Sequence, residues 1–129
     1  LGLVTVDVEK LEQVMQHLTL NAIEAMPTGG KLRVSATSET ITAAAGIALA
    51  AGKYVRISFQ DQGHGINKEI LPSIFDPYFS TKPLGAKKGI GLGLTRCDTI
   101  AKEHGGAITV ESTPGAVATF HVYLPAEAP

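Results

Sequence analysis

The N-terminal part of the chain has the hydrophobic pattern of an amphipathic helix. Over residues 7–26 the apolar side chains recur every three or four positions, which is the spacing of one helical face. These positions are Val8, Leu11, Val14, Met15, Leu18, Ala22 and Ala25. Asp7 can cap the first turn, and the Pro-Thr-Gly-Gly run after Met26 ends the pattern. We therefore expect a helix over residues 7–26 with one buried face.

Alternation of apolar and polar residues predicts strands further along the chain. The pattern occurs at residues 31–36, 54–60, 107–112 and 117–124. The last two segments flank Pro114-Gly115, so they are expected to form an antiparallel hairpin. Residues 39–52 are rich in Ala and Thr and have no clear period, so a strand extension, a loop and a short helix all fit them.

Two further helices and a long loop complete the predicted elements. Asn67 can cap a short helix over residues 67–75, and a second helix fits residues 93–104 before Gly105-Gly106. Residues 77–88 have no apolar period and contain two prolines, which is typical of a surface loop. The fold class expected from this order is α+β, a two-layer sandwich of a mixed, mostly antiparallel sheet with helices on one face.

Composition narrows the class of protein. A chain of 129 residues with 44% hydrophobic residues suits a single domain over residues 1–129. The 11 basic and 12 acidic side chains give a net charge of -1, which predicts neither a nucleic-acid partner nor direct membrane contact. No apolar run approaches the length of a membrane span, so we expect a soluble, cytoplasmic domain. Cys97, the only cysteine, is expected in the core.

Three polar or glycine-rich features could have chemical roles. Asn21 lies at the edge of the first helix's apolar face, where its carboxamide either makes a core hydrogen bond or offers an oxygen to Mg²⁺. Asp61 ends a strand before Gly63 and Gly65, so it either belongs to an ordinary turn or meets a ligand. Residues 89–94, Gly-Ile-Gly-Leu-Gly-Leu, precede a helix and can direct backbone N–H groups at an anion. Their spacing matches neither a Walker A loop nor a Rossmann fingerprint.

Taken together, four blocks in this order resemble a known family. They are Asn21-Ala22, Asp61-Gln62-Gly63-His64-Gly65-Ile66, Phe75-Asp76-Pro77-Tyr78-Phe79 and Gly89-Ile90-Gly91-Leu92-Gly93-Leu94. They resemble the N, G1, F and G2 boxes of the catalytic ATP-binding domain of sensor histidine kinases, and the resemblance runs from about Asp7 to Pro125. It implies the Bergerat ATP-binding fold, and the Asn-Ala-Ile-Glu-Ala-Met run resembles the nitrogen-regulatory type of kinase.

The resemblance also implies roles for individual residues. Asn21 would be the Mg²⁺ ligand and a catalytic residue, and Asp61 would accept a hydrogen bond from the exocyclic amine of adenine. The remaining residues expected to bind ATP are Ala25, Gly63, Gly65, Ile66, Phe79, Lys82, Gly89, Gly91, Leu92, Gly93, Leu94 and Thr119.

Three positions depart from the family pattern. His17 occupies the place where the related gyrase and Hsp90 ATPases have a general-base Glu and histidine kinases more often have Asn. We expect it either to act on the bound phosphates or to be a structural, half-buried histidine. Glu24 stands where many members have a Lys that contacts the phosphates. The negative charge of the phosphates would then be neutralised by the loop lysines Lys82, Lys87 and Lys88.

The third departure concerns adenine. Ala118 replaces the Thr that commonly helps the adenine-binding Asp in this family. Without that threonine hydroxyl, the Asp61 side chain is either less firmly oriented, or the hydroxyl of Thr119 takes its place from a position one residue further along the strand. This is the reason for including Thr119 among the expected ATP-binding residues.

The sequence thus predicts the Mg-ATP-binding catalytic domain of a two-component sensor histidine kinase. It would transfer the γ-phosphate to a histidine on a separate dimerisation domain of the same parent protein, upstream of a response regulator. Two alternatives remain open, namely an ATPase module of the gyrase or Hsp90 type and a non-catalytic nucleotide-binding domain of a degenerate kinase. ATP turnover by the isolated chain would distinguish the first of these.

Overall fold

The computed structural model describes residues 3–26, 28–42, 49–63, 92–112 and 117–127. These residues form two helices and four strands. In chain order they are α1 Val8–Ala25, β1 Arg33–Ile41, β2 Gly52–Asp61, α2 Leu92–Glu103, β3 Ala107–Ser112 and β4 Ala118–Pro125. Within the described ranges, neither helix is long and apolar enough to cross a membrane.

The four strands form one open sheet in the order β1-β2-β4-β3, and all three pairings are antiparallel. The predicted hairpin is confirmed, because β3 pairs with β4 from Ala107–Tyr123 to Ser112–Ala118. β1 continues beyond its predicted end to Ile41, which lies opposite Gly52. A strand extension is therefore the correct alternative for residues 39–41. The predicted helix at 67–75 and the loop at 77–88 lie outside the described residues.

The hydrophobic core lies between the sheet and the two helices. α1 packs on β2, α2 packs on β3 and β4, and the helices contact each other. The core residues, most of which come from α1, α2, β2 and β4, are Val14, Leu18, Phe59, Cys97, Ile100, Ala101, Ile108, Phe120, Val122 and Leu124. The predicted α+β two-layer arrangement is confirmed by this packing.

The opposite face of the sheet is also partly buried, which the alternating pattern did not predict. Ile41, Tyr54 and Tyr123 form a second apolar cluster there, with Leu49 packed against it. On the same face, the Ser58 hydroxyl and Nδ1 of His121 lie 2.7 Å apart, and both side chains are buried. The central strands β2 and β4 therefore bury side chains on both faces.

A hydrogen-bonded contact joins the start of α1 to the end of α2. Asp7 caps α1 by accepting from the backbone N–H of Lys10, and its own backbone N–H donates to Nε2 of His104 at 3.0 Å. Nδ1 of His104 lies 2.8 Å from the carbonyl oxygen of Ile100. Because a carbonyl only accepts and an N–H only donates, this arrangement assigns the proton to Nδ1. The two helices consequently run antiparallel.

Cys97 is fully buried in the core, as the sequence predicts. Burial raises the pKa of its thiol from 9.0 to about 12, with a smaller lowering by Arg96 and a further raising contribution from Asp98. A raised pKa in the folded state favours the neutral thiol. Its contribution to stability is therefore complete below pH 9.0 and is lost as the pH rises through about 12.

We expect the free energy of unfolding to fall by about 1 kcal/mol more in the wild type than in Cys97→Ala between pH 7 and roughly pH 10. The reason is that the thiol ionises first in the unfolded chain. Urea titrations of both proteins at the two pH values measure this difference. A parallel pH dependence in the two proteins would show that Cys97 ionises equally well in the folded state.

Candidate functional site

One flank of α1 faces α2. Nε of Arg96 donates to Oε1 of Gln13 at 2.7 Å, and Nζ of Lys10 lies 3.4 Å from Oε1 of Glu103. Gln13, His17 and Asn21 follow one another at intervals of four residues, so they share this flank. His17 and Asn21 are both half-buried. The predicted positions of these two side chains, one turn apart on one face, agree with this arrangement.

The direction of the helices brings Asn21 toward the start of α2. The beginning of α1 lies beside the end of α2. Further along α1, Gln13 lies beside Arg96, which is in the first half of α2. Continuing along α1 past Gln13 therefore leads toward Leu92, where α2 begins. The start of a helix has unpaired backbone N–H groups and the positive end of the helix dipole, which together favour an anion. Leu92 and Gly93 are the first residues of α2, and Leu94 packs against the core.

Asp61 is a buried carboxylate at the end of β2. Only 4% of the residue is exposed, and its Oδ1 accepts from the backbone N–H of Gly63 at 2.9 Å. A burial of this extent is costly for a carboxylate unless hydrogen bonds compensate it. The Gly63 N–H supplies one such bond and fixes the orientation of the carboxylate. Asp61 can therefore present its second oxygen to a ligand in a defined direction.

Gly63 holds the Asp61 turn against the last turn of α1. A Cβ at position 63 would lie 2.4 Å from the carbonyl oxygen of Ala25 and 2.9 Å from its Cβ, so only glycine fits there. Beside it, the backbone N–H of Gln62 contacts Sδ of Met26 at 3.3 Å, and Oε1 of Gln62 accepts from the backbone N–H of Lys31 at 3.3 Å. Asp61, Gly63 and Ala25 thus lie together, one helical turn beyond Asn21.

The structure separates Thr119 from Asp61. Asp61 lies opposite Ala118, whereas Thr119 lies opposite Gln60, whose Nε2 donates to the Thr119 hydroxyl at 3.4 Å. Because successive side chains of a strand point to opposite faces, Thr119 is on the face of the sheet away from the helices. The register therefore does not allow Thr119 to substitute for the missing hydroxyl at position 118, so Thr119 is not part of the proposed site.

Several other predicted residues lie outside the described part of the chain. They are Gly65, Ile66, Phe79, Lys82, Gly89 and Gly91. The sequence patterns also missed two contributors, since Gln62 and Met26 fasten the turn after β2 to the end of α1. No periodic pattern indicates them, because their contacts join segments that are distant in sequence.

Residues 6–128 match the family of histidine kinase-, DNA gyrase B- and HSP90-like ATPases, and the chain belongs to this family. It is similar to the crystal structure of full-length ShkA in complex with AMPPNP, with a TM-score of 0.75 and 26% identity. That likeness covers 99% of this chain and 24% of the ShkA chain.

Among curated proteins, the chain is similar to sensor kinases. Sensor kinase CckA of Brucella abortus (strain 2308) is 38% identical over 125 residues, which is 95% of this chain and 13% of that protein. Sporulation kinase C of Bacillus subtilis (strain 168) is 40% identical over 92% of this chain and 24% of its own length. Sensor histidine kinase ZraS of Escherichia coli (strain K12) is 39% identical over 92% of this chain and 22% of its own length.

The chain therefore spans a quarter or less of the length of these relatives. The predicted membership of the sensor histidine kinase group is confirmed by the family match and by the names of the relatives. None of these three relatives is named as a nitrogen-regulatory kinase, so that subtype stays a prediction.

Proposed function

We propose that this chain is the Mg-ATP-binding catalytic domain of a two-component sensor histidine kinase, folded as a single domain over residues 1–129. The observation that supports the proposal best is the close contact between Gly63 and Ala25. It holds the buried carboxylate of Asp61 beside the end of the helix that presents Asn21. A base-recognising group and a candidate metal ligand are thereby fixed relative to each other.

Asp61 suits the recognition of adenine. Its carboxylate oxygens accept hydrogen bonds, and the Gly63 N–H fixes one of them. The exocyclic amine of adenine donates, so it pairs with the other oxygen. Guanine would place a carbonyl oxygen at the same position, and two acceptors repel each other. Asp61 would therefore select ATP over GTP.

The residues present also suit Mg²⁺ together with a bound polyphosphate. In the described part of the chain, no cluster of three or more His, Cys, Asp and Glu side chains could hold a metal ion by itself. Mg²⁺ typically takes one or two protein oxygens and completes its shell with phosphate and water oxygens. The carboxamide oxygen of Asn21, on the flank leading to the start of α2, can be that protein ligand. When bound, the ion would neutralise charge on the transferred phosphoryl group.

The phosphoryl acceptor would be a histidine outside this chain. Of the chain's histidines that the structure describes, His17 is half-buried on α1, His104 is hydrogen-bonded to Asp7 and Ile100, and His121 is buried in β4. None of these three stands on a free helix that could approach a γ-phosphate in line. We therefore propose a separate dimerisation domain of the same parent protein as the acceptor, with a response regulator downstream. The use of ATP supports a cytoplasmic location.

A second candidate function is ATP hydrolysis. It is favoured by the position of His17, which lies one turn before Asn21 on the same flank of α1. A neutral imidazole there could accept a proton from an attacking water. Release of phosphate by the isolated chain decides between the two functions, because the kinase function predicts almost none.

Replacement of Asp61 by asparagine is expected to weaken ATP binding roughly tenfold to hundredfold, the equivalent of about 1.5–3 kcal/mol. The carboxamide oxygen of the new side chain can still accept from the Gly63 N–H, so the turn is preserved. Its amide nitrogen, however, would face the adenine amine, donor against donor. Titration calorimetry with ATP and GTP measures the change.

Glu103→Gln is the matched control for this prediction. This substitution also removes one negative charge, but from an exposed ion pair at the end of α2 that lies far from Asp61. The affinity of this variant for ATP should therefore equal that of the wild type. An unaltered preference for ATP over GTP in Asp61→Asn would remove Asp61 from the adenine site.

A further inference from the structure

β1 is a long and exposed edge strand. It spans nine residues, and its pairing with β2 runs without interruption from Arg33–Gln60 to Ile41–Gly52. Seven of the nine residues are exposed, and no described strand pairs with its outer edge. The backbone groups along that edge can therefore accept another strand.

The usual protections against such pairing are absent from β1. Natural edge strands are blunted by proline, bulges, short length or inward-pointing charges. The sequence of β1 is RVSATSETI, which contains no proline and only two charged residues, and its register with β2 has no bulge. Its Val, Ser, Ala and Thr side chains are small or suited to a strand. Among the described residues, nothing consequently blocks pairing along this edge.

We propose that β1 pairs antiparallel with β1 of a second copy of this chain, with the two-fold axis at Ala36. In that register Arg33 lies directly opposite Glu39 of the second copy, and the same pair recurs on the other side of the axis. Opposite residues of an antiparallel pair point to the same face, so each pair of charges can meet. The two four-stranded sheets would then form one continuous sheet of about eight strands.

The charges of β1 favour this register over its neighbours. An axis at Ser35 would place Arg33 opposite Thr37, and an axis at Thr37 would place it opposite Ile41. Only the axis at Ala36 pairs the two charged residues of the strand. Glu39 also lies 3.5 Å from Nη1 of Arg56 on the same face, so its carboxylate would stand between two guanidinium groups.

The expected association is weak and reversible. Only about seven residues of each copy would pair, which is small compared with stable dimer interfaces. Sedimentation equilibrium of the purified chain should therefore show an average mass that rises from monomer toward dimer with concentration. Because each cross-strand charge pair contributes modestly, Arg33→Glu should raise the dimer dissociation constant about tenfold. The double variant Arg33→Glu/Glu39→Arg should restore part of the association, because the cross-strand charge pairs return while the arginine at position 39 lies beside Arg56.

Cysteine cross-linking tests the register itself. Ala36→Cys places two thiols opposite each other at the axis, within the Cα separation that a disulfide requires. Ser38→Cys is the matched control, since the two copies of residue 38 would lie about four residues, or ~13 Å, apart along the strands. Under mild oxidation the first variant should form a covalent dimer and the second should not. The native Cys97 is fully buried and does not interfere.

Two outcomes would overturn the proposal. Equal cross-linking of both variants would contradict the register. The second outcome is a chain that remains monomeric at every concentration and shows no cross-linking of Ala36→Cys. It would exclude a second copy as the strand that pairs with β1, and a peptide of another protein would be the remaining candidate. Circular dichroism of each variant confirms that the exposed substitutions leave the fold intact.

Discussion

Replacement of Asn21 by alanine is expected to abolish the Mg²⁺ dependence of ATP binding while the fold remains intact. Asn21 is half-buried on the flank of α1 that leads to the start of α2, and its carboxamide oxygen is the proposed metal ligand. Alanine removes that oxygen and is a good helix former, so α1 should persist. Titration calorimetry with ATP, in Mg²⁺ and in excess chelator, measures the dependence.

Two variants serve as controls for this prediction. Gln13→Ala lies two turns earlier on the same flank and loses its hydrogen bond from Arg96, but it should retain the full effect of Mg²⁺. Asn21→Asp keeps an oxygen ligand and should retain metal-dependent binding. If Mg²⁺ strengthens ATP binding equally in Asn21→Ala and in the wild type, Asn21 is not the ligand. A structural role would show as a lowered melting temperature instead.

Replacement of Gly63 by alanine is expected to lower ATP affinity at least about tenfold. The new Cβ would lie 2.4 Å from the carbonyl oxygen of Ala25, so the turn after β2 must move away from α1. Overpacking of this kind costs on the order of 1–3 kcal/mol. Because the backbone N–H of Gly63 also orients Asp61, the shift should disturb the adenine-binding carboxylate. Calorimetric affinity and thermal stability should be measured together.

Gly106→Ala is the control for Gly63→Ala, because its new Cβ would also collide with a backbone carbonyl, that of Tyr123. This glycine follows the end of α2, at the opposite end from the proposed site. Gly106→Ala should therefore have a lowered melting temperature. When measured below that temperature, its affinity for ATP should equal that of the wild type. If both variants lose affinity only in proportion to stability, the Gly63–Ala25 contact has no specific role in binding.

The helices and the hairpin could be predicted because their sequence patterns are local. The apolar period of α1 over residues 7–26 matches the observed Val8–Ala25, and Asp7 caps the helix as expected. The alternation at 107–112 and 117–124 matches β3 and β4. In α1 one side faces the core and the other is mostly open to solvent, and in β4 the large apolar residues Phe120, Val122 and Leu124 all point to the helix-facing core, so each pattern has a clear period.

The extent of β1 could not be predicted, because most of its side chains are exposed on both faces. Residues 37–40, Thr-Ser-Glu-Thr, carry no hydrophobic alternation, although they pair fully with β2. The second apolar cluster on the far face of the sheet was missed for the opposite reason. Tyr54 and Tyr123 occupy positions that simple alternation assigns to solvent, yet they pack with Ile41.

The candidate site was only partly predictable. The family motifs indicate Asn21, Asp61 and Gly63, and the structure places Asp61 and Gly63 against the end of α1. The position of Thr119 depends on the register of β2 with β4, because one residue decides which face a side chain takes. A motif alone does not determine that register, so the expected contact between Thr119 and Asp61 was not found.

The most direct test of the proposed kinase function is phosphorylation with radiolabelled ATP and Mg²⁺, with and without the parent's dimerisation domain added in trans. We expect the chain alone to bind ATP but to take up no label, since transfer needs a histidine aligned with the γ-phosphate. Added dimerisation domain should gain acid-labile label. The labelling should be slow, because the tether that normally gives the two domains a high effective concentration is missing when they are separate. Efficient labelling of the chain alone, or rapid phosphate release to water, would contradict the proposed function.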